Sequence, residues 1–253
     1  MVPKKILCKI LPRPSKPVKL PESEKTHALK VLRLGSGDIV QVLDGEGNTV
    51  FASLKFMGKE VYLEIQKECA PISDLQILDI TVELAILKND AMSWSIEKMV
   101  ELGVKTLIPV LTDHCVVQIQ KKGAEVFLER WQKIADQALK QCGRLKRMEI
   151  LAPMRLEELF ISPIALHAVR FWADEKCVER GGLFIGNALE KMGDKTAFHT
   201  LIGPEGGWSQ VEREMLSRQS LERVNLGSLI LRAETAAVYS VSLINGYLQR
   251  RNS

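Results

Sequence analysis

The sequence predicts two domains, a small N-terminal β-barrel and a C-terminal α/β domain built on a mainly parallel sheet. Three features of the 253-residue chain support this prediction. Residues 38–65 contain short strand-like runs separated by glycine-rich turns, as in the compact barrels that RNA-binding modules use. From residue 81 onward, strand-like runs alternate with amphipathic helical runs, which is typical of a parallel sheet. Residues 68–74 have the composition of a linker, so we place the domains at residues 1–72 and 73–253.

The N-terminal elements follow from local composition. A short helix is predicted at residues 22–32, and strands are predicted at residues 38–43, 49–56 and 60–65. The residues Asp44-Gly45-Glu46-Gly47-Asn48 give a strong turn signal between the first two of these strands.

The C-terminal elements alternate between strands and helices. Strands are predicted at residues 81–88, 104–111, 164–169 and 198–203, and helices at residues 125–141 and 235–248. A further helix is predicted to begin at an N-cap formed by Asp90 and to end at Gly103. The residues Ser209-Gln210-Val211-Glu212 match a capping box, which predicts another helix start.

Positive charge is concentrated at the N-terminus. The whole chain has a net charge of +4, whereas residues 1–33 contain nine basic and two acidic side chains, a net charge of +7. Residues 71–253 contain 23 basic and 23 acidic side chains. A basic lobe beside a neutral remainder indicates a docking surface for a polyanion. The alternative is a solvated lysine-rich face.

The cysteines and the apolar runs indicate the cellular compartment. The odd count and wide spacing of Cys8, Cys69, Cys115, Cys142 and Cys177 favour reduced thiols over a disulfide framework or a zinc site. The apolar stretch after Lys5 is too short for a secretion signal. No apolar run approaches the roughly 18 residues that span a bilayer. We therefore expect a cytoplasmic protein without a metal site.

The most informative stretch is Leu201-Ile202-Gly203-Pro204-Glu205-Gly206-Gly207-Trp208. An apolar strand leads into three glycines and a proline directly before a capped helix. Glycines allow positive φ angles and a close approach to a ligand, which backbone amides can then bind. No Lys-Ser/Thr pair follows, so the stretch is not a Walker loop. We favour a ligand loop over a structural turn, because a turn needs fewer glycines.

A second candidate loop runs from Leu226 to Ala236. Arg232 and Glu234 lie close to the start of the last helix, where backbone amides and charge can converge on a ligand. The alternative is that Glu234 or Thr235 simply caps that helix.

A weaker candidate is Asp113-His114-Cys115, which has the residue types of a nucleophilic or metal site. Adjacent residues rarely converge on one atom, and no second cluster supplies further ligands. We do not favour this interpretation.

Two segments of the chain resemble the motifs of a known family. LIGPEGGWSQVERE and LGSLILRAETAAV are similar to the paired C-terminal motifs of the RsmE family, the 16S ribosomal RNA uridine N3-methyltransferases of the SPOUT class. Residues 27–48, 96–112 and 129–144 match the family in the same order, so the resemblance covers nearly the whole chain. The chain departs from the family pattern at Lys5-Ile6-Leu7, at His114-Cys115 and at Lys140.

The resemblance implies the finer architecture and the cofactor. It implies a PUA-like N-terminal barrel, a C-terminal SPOUT domain with a deep trefoil knot, and a homodimer that uses S-adenosylmethionine. The cofactor-binding residues carried over are Leu201, Gly203, Pro204, Glu205, Gly206, Gly207, Leu226, Gly227, Ile230, Leu231, Arg232, Thr235 and Ala236.

The resemblance also implies the reaction, which is methylation of N3 of a specific uridine in the decoding region of 16S ribosomal RNA within the small subunit. Arg232 is then expected to stabilise the imide anion, and Glu234 to orient Arg232 or take the proton. The residues expected to contact RNA phosphates are Lys4, Lys5, Arg13, Lys30 and Arg33. One alternative is methylation at another RNA position, such as a ribose 2′-oxygen. The other is a non-catalytic RNA-binding or ribosome-assembly factor.

Overall fold

A computed structural model of the protein describes residues 4–69, 78–117, 119, 123–161, 168–180 and 182–251. The chain divides into two compact units. The first consists of Met1–Gln76 and Asp136–Arg147, and the second of Ile77–Ala135 and Met148–Ser253. The predicted domain boundary between residues 72 and 73 lies outside the described residues.

The first unit is built on a mainly antiparallel sheet. Its described strands are β1 (Lys5–Leu7), β2 (Val18–Lys19), β3 (Ile39–Leu43), β4 (Thr49–Met57) and β5 (Glu60–Glu68). They lie in the order β1-β3-β4-β5-β2, and β1 pairs with β3 in the parallel direction. Helix α1 (Glu22–Thr26) continues into a π-helical turn, His27–Val31. The helix and the three strands predicted for this region are confirmed.

The turn between β3 and β4 is held by the carboxylate of Asp44. Its Oδ1 accepts hydrogen bonds from the backbone N–H groups of Glu46 (2.7 Å) and Asn48 (3.0 Å). Its Oδ2 accepts one from Nδ2 of Asn48 at 2.7 Å. An aspartate that bonds to its own following backbone in this way fixes the turn that the sequence predicts.

The segment Asp136–Arg147 packs within the first unit. Lys140 Nζ lies 2.6 Å from Glu24 Oε1, and only 10% and 13% of the two side chains are exposed. The backbone N–H of Arg147 donates to the carbonyl of Gly45 at 2.8 Å. Lys140, one of the departures from the family pattern, therefore neutralises a nearly buried glutamate.

The second unit alternates strands and helices along the chain. Its elements are β6 (Leu78–Ala85), α2 (Asn89–Glu101), β7 (Val104–Leu111), α3 (Ala124–Cys142), β8 (Glu149–Ile150), β9 (Met154–Arg155), β10 (Val169–Ala173), β11 (Leu183–Phe184), α4 (Ile185–Glu190), β12 (Phe198–Ile202), α5 (Gln210–Ser217), β13 (Glu222–Asn225) and α6 (Ala233–Arg251). Helix α3 ends in the part of the chain that packs with the first unit.

The strands of the second unit form one sheet in the order β11-β13-β10-β12-β6-β7-β8, and β9 also pairs with β7. Every pairing among these described strands is parallel. The predicted α/β domain with a parallel sheet is confirmed. Because the strands are parallel, the loops that follow β10, β12 and β13 emerge at the same edge.

Both faces of this sheet are covered. On one face, Phe198 of β12 packs edge-on against Tyr247 of α6, with 5.8 Å between ring centroids. Leu201 of the same strand belongs to a different cluster of buried residues, together with Trp172 and Trp208. Successive residues of a strand point to opposite faces, so β12 is buried on both.

Two local predictions have a different outcome. The prediction that Asp90 N-caps α2 is wrong, because Lys88 occupies the N-cap position and Asp90 lies in the first turn. A carboxylate there is still favourable, since it faces the positive end of the helix dipole. The strand predicted at residues 164–169 falls mostly outside the described residues, and the observed strand is β10.

Candidate functional site

A cavity of about 610 Å³ lies at the carboxyl edge of the parallel sheet in the second unit. Its walls come from the carboxyl ends of three strands and the segments that follow them: Ala173–Glu175 at β10, 202–208 at β12, and the segment from Asn225 into α6 at β13. Lys88 and Ala91, which follow β6, add a fourth wall. Ligands of open parallel sheets bind at this edge, and cofactor cavities have volumes of this size.

The cavity brings together most of the residues predicted to form a site. The predicted residues that line it are Gly203, Pro204, Glu205, Gly206, Gly207, Leu226, Gly227, Ile230, Leu231, Arg232, Glu234 and Ala236. Leu201 and Thr235 are not part of the lining. Leu201 is fully buried in the core, and Thr235 lies on the exposed side of the first turn of α6. The cofactor-binding roles of Leu201 and Thr235 stay predictions.

Neither Glu234 nor Thr235, the residues of the capping alternative, occupies the N-cap position of α6. The helix begins at Ala233, and the carbonyl of Arg232 accepts the N–H of Ala236 at 2.8 Å. Arg232 therefore occupies the N-cap position, and Glu234 and Thr235 lie within the first turn. Both Arg232 and Glu234 line the cavity at the positive end of this helix.

The glycine loop, residues 203–207, fits closely against its surroundings. A Cβ atom on Gly203 would lie 2.9 Å from Cε2 of Trp208, and one on Gly206 would lie 3.0 Å from Cβ of His114. Gly207 has a φ of +68°, and its Cβ would lie 2.7 Å from Oε1 of Glu175. Gly207 favours glycine because of its positive φ, a side chain at Gly203 would displace the Trp208 ring, and Gly206 has little free space. This set of constraints exceeds what an ordinary turn needs.

The end of the glycine loop is held by the predicted capping box, which is confirmed. Oγ of Ser209 accepts the backbone N–H of Glu212 at 3.1 Å, and Oε2 of Glu212 accepts the backbone N–H of Ser209 at 2.8 Å. Within the loop, Oε1 of Glu205 accepts the backbone N–H of Lys88 at 3.1 Å. This contact ties the loop to the start of α2.

A buried carboxylate, that of Asp174, forms part of the cavity wall. Asp174 accepts hydrogen bonds from Nε of Arg223 (2.9 Å) and Nε of Arg213 (3.3 Å), and Arg213 also pairs with Glu175. Burial alone would raise the pKa of the Asp174 carboxyl, but it is outweighed by hydrogen bonds from Arg223 and from the backbone N–H of Lys176 and by the charges of Arg223 and Arg213. The pKa therefore lies below its usual value.

The contacts of Asp174 could not be found from the sequence. Arg213 and Arg223 are 39 and 49 residues away from it, and no motif links the three positions. Because Asp174 and Glu175 line the cavity while their arginine partners pack beside them, this network fixes the cavity wall after β10.

The residues Asp113-His114-Cys115 do not converge on a common atom. His114 contacts the glycine loop, Asp113 contacts Ser209, and Sγ of Cys115 lies 3.1 Å from Oγ1 of Thr112. Among the described residues, no group of three or more His, Cys, Asp or Glu side chains could hold a metal ion. Asp113 and His114 instead support the loop that lines the cavity.

The predicted RNA-binding residues lie in the first unit. Lys4, Arg13, Lys30 and Arg33 are exposed, and Lys5 is half-buried. Nζ of Lys4 donates to the carbonyl of Leu32 at 2.5 Å. Leu32 directly precedes Arg33 in the sequence. In the part of the chain that the structure describes, we find no helix that could cross a membrane.

Two family models match the chain. Residues 74–245 match the family model of an RNA methyltransferase domain, and residues 20–66 match that of an RNA methyltransferase PUA domain. Ribosomal RNA small subunit methyltransferase E of Bacillus subtilis is 26% identical over 235 residues, covering 88% of this chain and 87% of that protein. The protein of the same name from Synechocystis is 29% identical and covers 92% of this chain and 74% of its own length.

Solved structures give a similar result. A methyltransferase from Legionella pneumophila with bound S-adenosylmethionine has a TM-score of 0.85 at 25% identity, covering 97% of this chain and 98% of that chain. Ribosomal RNA small subunit methyltransferase E from Neisseria gonorrhoeae, also bound to S-adenosylmethionine, has a TM-score of 0.81 at 26% identity with the same coverage.

Proposed function

This chain belongs to the RNA methyltransferase family, and on that premise we propose that it methylates N3 of one uridine in the decoding region of 16S ribosomal RNA. It is an S-adenosylmethionine-dependent ribosomal RNA methyltransferase. The observation that carries the proposal is the cavity of about 610 Å³, in which both predicted motif loops meet at one sheet edge.

The residues of the cavity fit the cofactor. Gly203, Gly206 and Gly207 line the cavity with backbone and no side chain. On the opposite loop, Gly227 has a φ of +122° and no atom within 4 Å of the position of a Cβ. Leu226, Ile230 and Leu231 give an apolar wall, as cofactor sites need. When bound, S-adenosylmethionine supplies an electrophilic methyl group on a sulfonium.

Two charged residues of the cavity would act on the uridine. N3 of uracil attacks a methyl group only after the imide loses its proton, so a positive charge beside the resulting anion lowers the barrier. Arg232, at the N-terminus of α6, would supply that charge. Glu234, one residue into the same helix, would orient Arg232 or accept the proton. N3 faces the pairing partner in a duplex, so the target must be unpaired or flipped out.

The N-terminal unit would bind the RNA backbone. Its exposed Lys4, Arg13, Lys30 and Arg33, with half-buried Lys5, would pair with phosphates, whereas Lys19 and Lys25 already pair with Glu60. This unit would form the small barrel that the PUA resemblance implies, and the C-terminal unit would contain the deep trefoil knot.

The protein would act as a homodimer in the cytoplasm. Leu229 and Ile230, which line the cavity, are 77% and 81% exposed. A second copy of the chain would cover these two apolar side chains and close the cavity from outside. The five free thiols are compatible with a reducing compartment.

The experiment that tests the proposal maps the product. Purified protein and S-adenosylmethionine are incubated with naked 16S ribosomal RNA or with small subunits that lack the modification, and the nucleosides are analysed by mass spectrometry. We expect N3-methyluridine at one position, with small subunits as the better substrate. A ribose 2′-O-methyl product would support methylation at another RNA position. No cofactor binding and no product would support a non-catalytic RNA-binding or assembly role.

A further inference from the structure

His114 lies directly against the glycine loop. Its Nδ1 is 2.8 Å from the carbonyl oxygen of Gly207 and 3.2 Å from that of Gly206. Carbonyl oxygens only accept hydrogen bonds, so Nδ1 must carry the hydrogen. The neutral Nδ1–H tautomer and the imidazolium ion both meet this requirement. The contact therefore does not depend on the charge of the ring.

The neighbouring residue makes a second attachment to the end of the same loop. The backbone N–H of Asp113 donates to Oε1 of Glu212 at 2.8 Å, and the hydroxyl of Ser209 donates to Oδ2 of Asp113 at 2.6 Å. The partners are 96 and 99 residues away in the chain. Two consecutive residues after β7 therefore hold the glycine loop and its capped helix start from outside the cavity.

The glycine loop needs such an external support. Glycine loses more conformational freedom on folding than any other residue, and the loop has three glycines within five residues. Gly206 and Gly207 both line the cavity and both place their carbonyl oxygens on His114. A donor fixed at this point restricts the backbone that lines the cofactor cavity.

We propose that His114 is a positioning residue, whose Nδ1–H holds the glycine loop in the conformation that binds the methyl donor. The inference rests on the proposed function, because it assigns that loop to S-adenosylmethionine. His114 does not itself line the cavity, so it acts through Gly206 and Gly207.

Two substitutions at one position separate the two ring nitrogens. The side-chain amide nitrogen of asparagine stands at the same bond distance from Cβ as Nδ1, so His114→Asn keeps the donor. His114→Gln moves its amide one bond farther, toward the position of Nε2. His114→Ala removes both nitrogens and serves as the reference for complete loss.

The measurements are the dissociation constant for S-adenosylmethionine, kcat and KM, and hydrogen exchange of residues 203–209 without ligand. We expect H114A and H114Q to bind S-adenosylmethionine about 3- to 10-fold more weakly, as the loss of one net hydrogen bond predicts. Their kcat at saturating cofactor should stay within about twofold, because only positioning is lost. Loop exchange should be faster in both variants, and H114N should match the unsubstituted protein in every measurement.

Three results would overturn the proposal. The first is unchanged loop exchange in H114A. The second is full rescue by H114Q with loss in H114N, which would assign the role to Nε2. The third is a fall in kcat at saturating cofactor, which would place His114 in the chemistry. If the unsubstituted protein binds no S-adenosylmethionine, the proposed function fails, and loop exchange alone still decides whether His114 holds the loop.

Discussion

The indole Nε1–H of Trp208 donates a hydrogen bond of 2.9 Å to the backbone carbonyl of Ala173. Trp208 directly follows the glycine loop and is only 2% exposed, and Ala173 ends β10. The bond therefore joins two of the walls that enclose the cavity. The indole ring of Trp208 packs against Gly203, where a Cβ atom would lie too close to the ring.

Trp208→Phe should loosen this junction. Phenylalanine keeps a ring in the core but removes the donor, which leaves the carbonyl of half-buried Ala173 without this hydrogen bond. We expect a loss of roughly 1–3 kcal/mol in the free energy of unfolding and weaker binding of S-adenosylmethionine. Urea denaturation and calorimetric titration measure the two effects. Trp94→Phe, on an exposed residue of α2, is the matched control and should change stability by less than about 0.5 kcal/mol. Equal effects of the two substitutions would contradict the prediction.

Gly203→Ala should impair binding through the same ring. The added methyl group would lie 2.9 Å from Cε2 of Trp208, so either the ring or the loop must move. We expect at least a tenfold weaker affinity for S-adenosylmethionine, because displacement of about an ångström at a site costs that much or more.

Gly246→Ala is the control for this substitution. Gly246 lies within α6, and a Cβ atom there would contact nothing within 4 Å. Alanine at this helical position should stabilise the protein by about 0.5–1 kcal/mol and leave binding unchanged. A Gly203→Ala variant with normal affinity would show that the loop is not fixed by Trp208.

What the sequence could predict was local. The capping box at Ser209 and the turn at Asp44 depend on side chains that bond within four residues of their own position, so their signals are contiguous in the chain. The alternation of strands and helices is also a pattern that is contiguous in the chain, and it predicts the parallel sheet. The Asp90 prediction was wrong because a good N-cap residue is only one of several possible helix starts, and this helix begins one residue before Asp90 without a side-chain cap.

What the sequence could not predict depends on distant parts of the chain. Lys140 pairs with Glu24 across 116 positions, and His114 reaches Gly207 across 93. Such contacts are set by the order of strands in the sheet, and no local pattern encodes that order. The Asp174 network was missed for this reason, although Asp174 itself lines the cavity together with the motif residues.

Asp174→Asn should destabilise the protein in a pH-dependent way. A carboxyl with a lowered pKa in the folded state contributes stability above its unfolded-state pKa of about 4 and loses it as pH falls through the lower folded-state value. We expect the variant to be about 1.5–3 kcal/mol less stable at pH 7, since it loses charged hydrogen bonds to two arginines. The difference should shrink below about pH 4, as denaturation curves over pH 3–8 would reveal.

Asp79→Asn provides the surface comparison for this measurement. Asp79 pairs with Lys105 at 2.9 Å, with about half of each side chain exposed. Such pairs contribute at most about 1 kcal/mol, and we expect a smaller effect with little pH dependence. A larger effect at Asp79 than at Asp174 would be inconsistent with the buried network.

The affinity for RNA should fall steeply with salt concentration. Basic residues of the first unit should account for that dependence. Removing phosphate contacts with Arg13→Ala and Lys30→Ala should lower the slope of log affinity against log salt by about 0.7–0.9 per contact. Fluorescence anisotropy with a decoding-region RNA at several salt concentrations measures this slope. Lys105→Ala, a charge of the second unit that pairs with Asp79, should leave the slope unchanged. If all these variants have the same slope, Arg13 and Lys30 of the first unit do not bind phosphates.

Arg232 should govern the chemical step. Arg232 occupies the N-cap of α6 and lines the cavity. An anion of the uridine in this part of the cavity would be stabilised both by the guanidinium and by the positive end of the helix dipole. We expect Arg232→Ala to lower kcat by about 10²–10³-fold, the usual cost of losing a group that stabilises a developing anion. Arg232→Lys keeps the positive charge but lacks the planar guanidinium with its several N–H donors, so it should have an intermediate rate. Single-turnover methylation at saturating cofactor isolates this step from binding. Full turnover of Arg232→Ala with normal cofactor affinity would exclude Arg232 from stabilising the uridine anion.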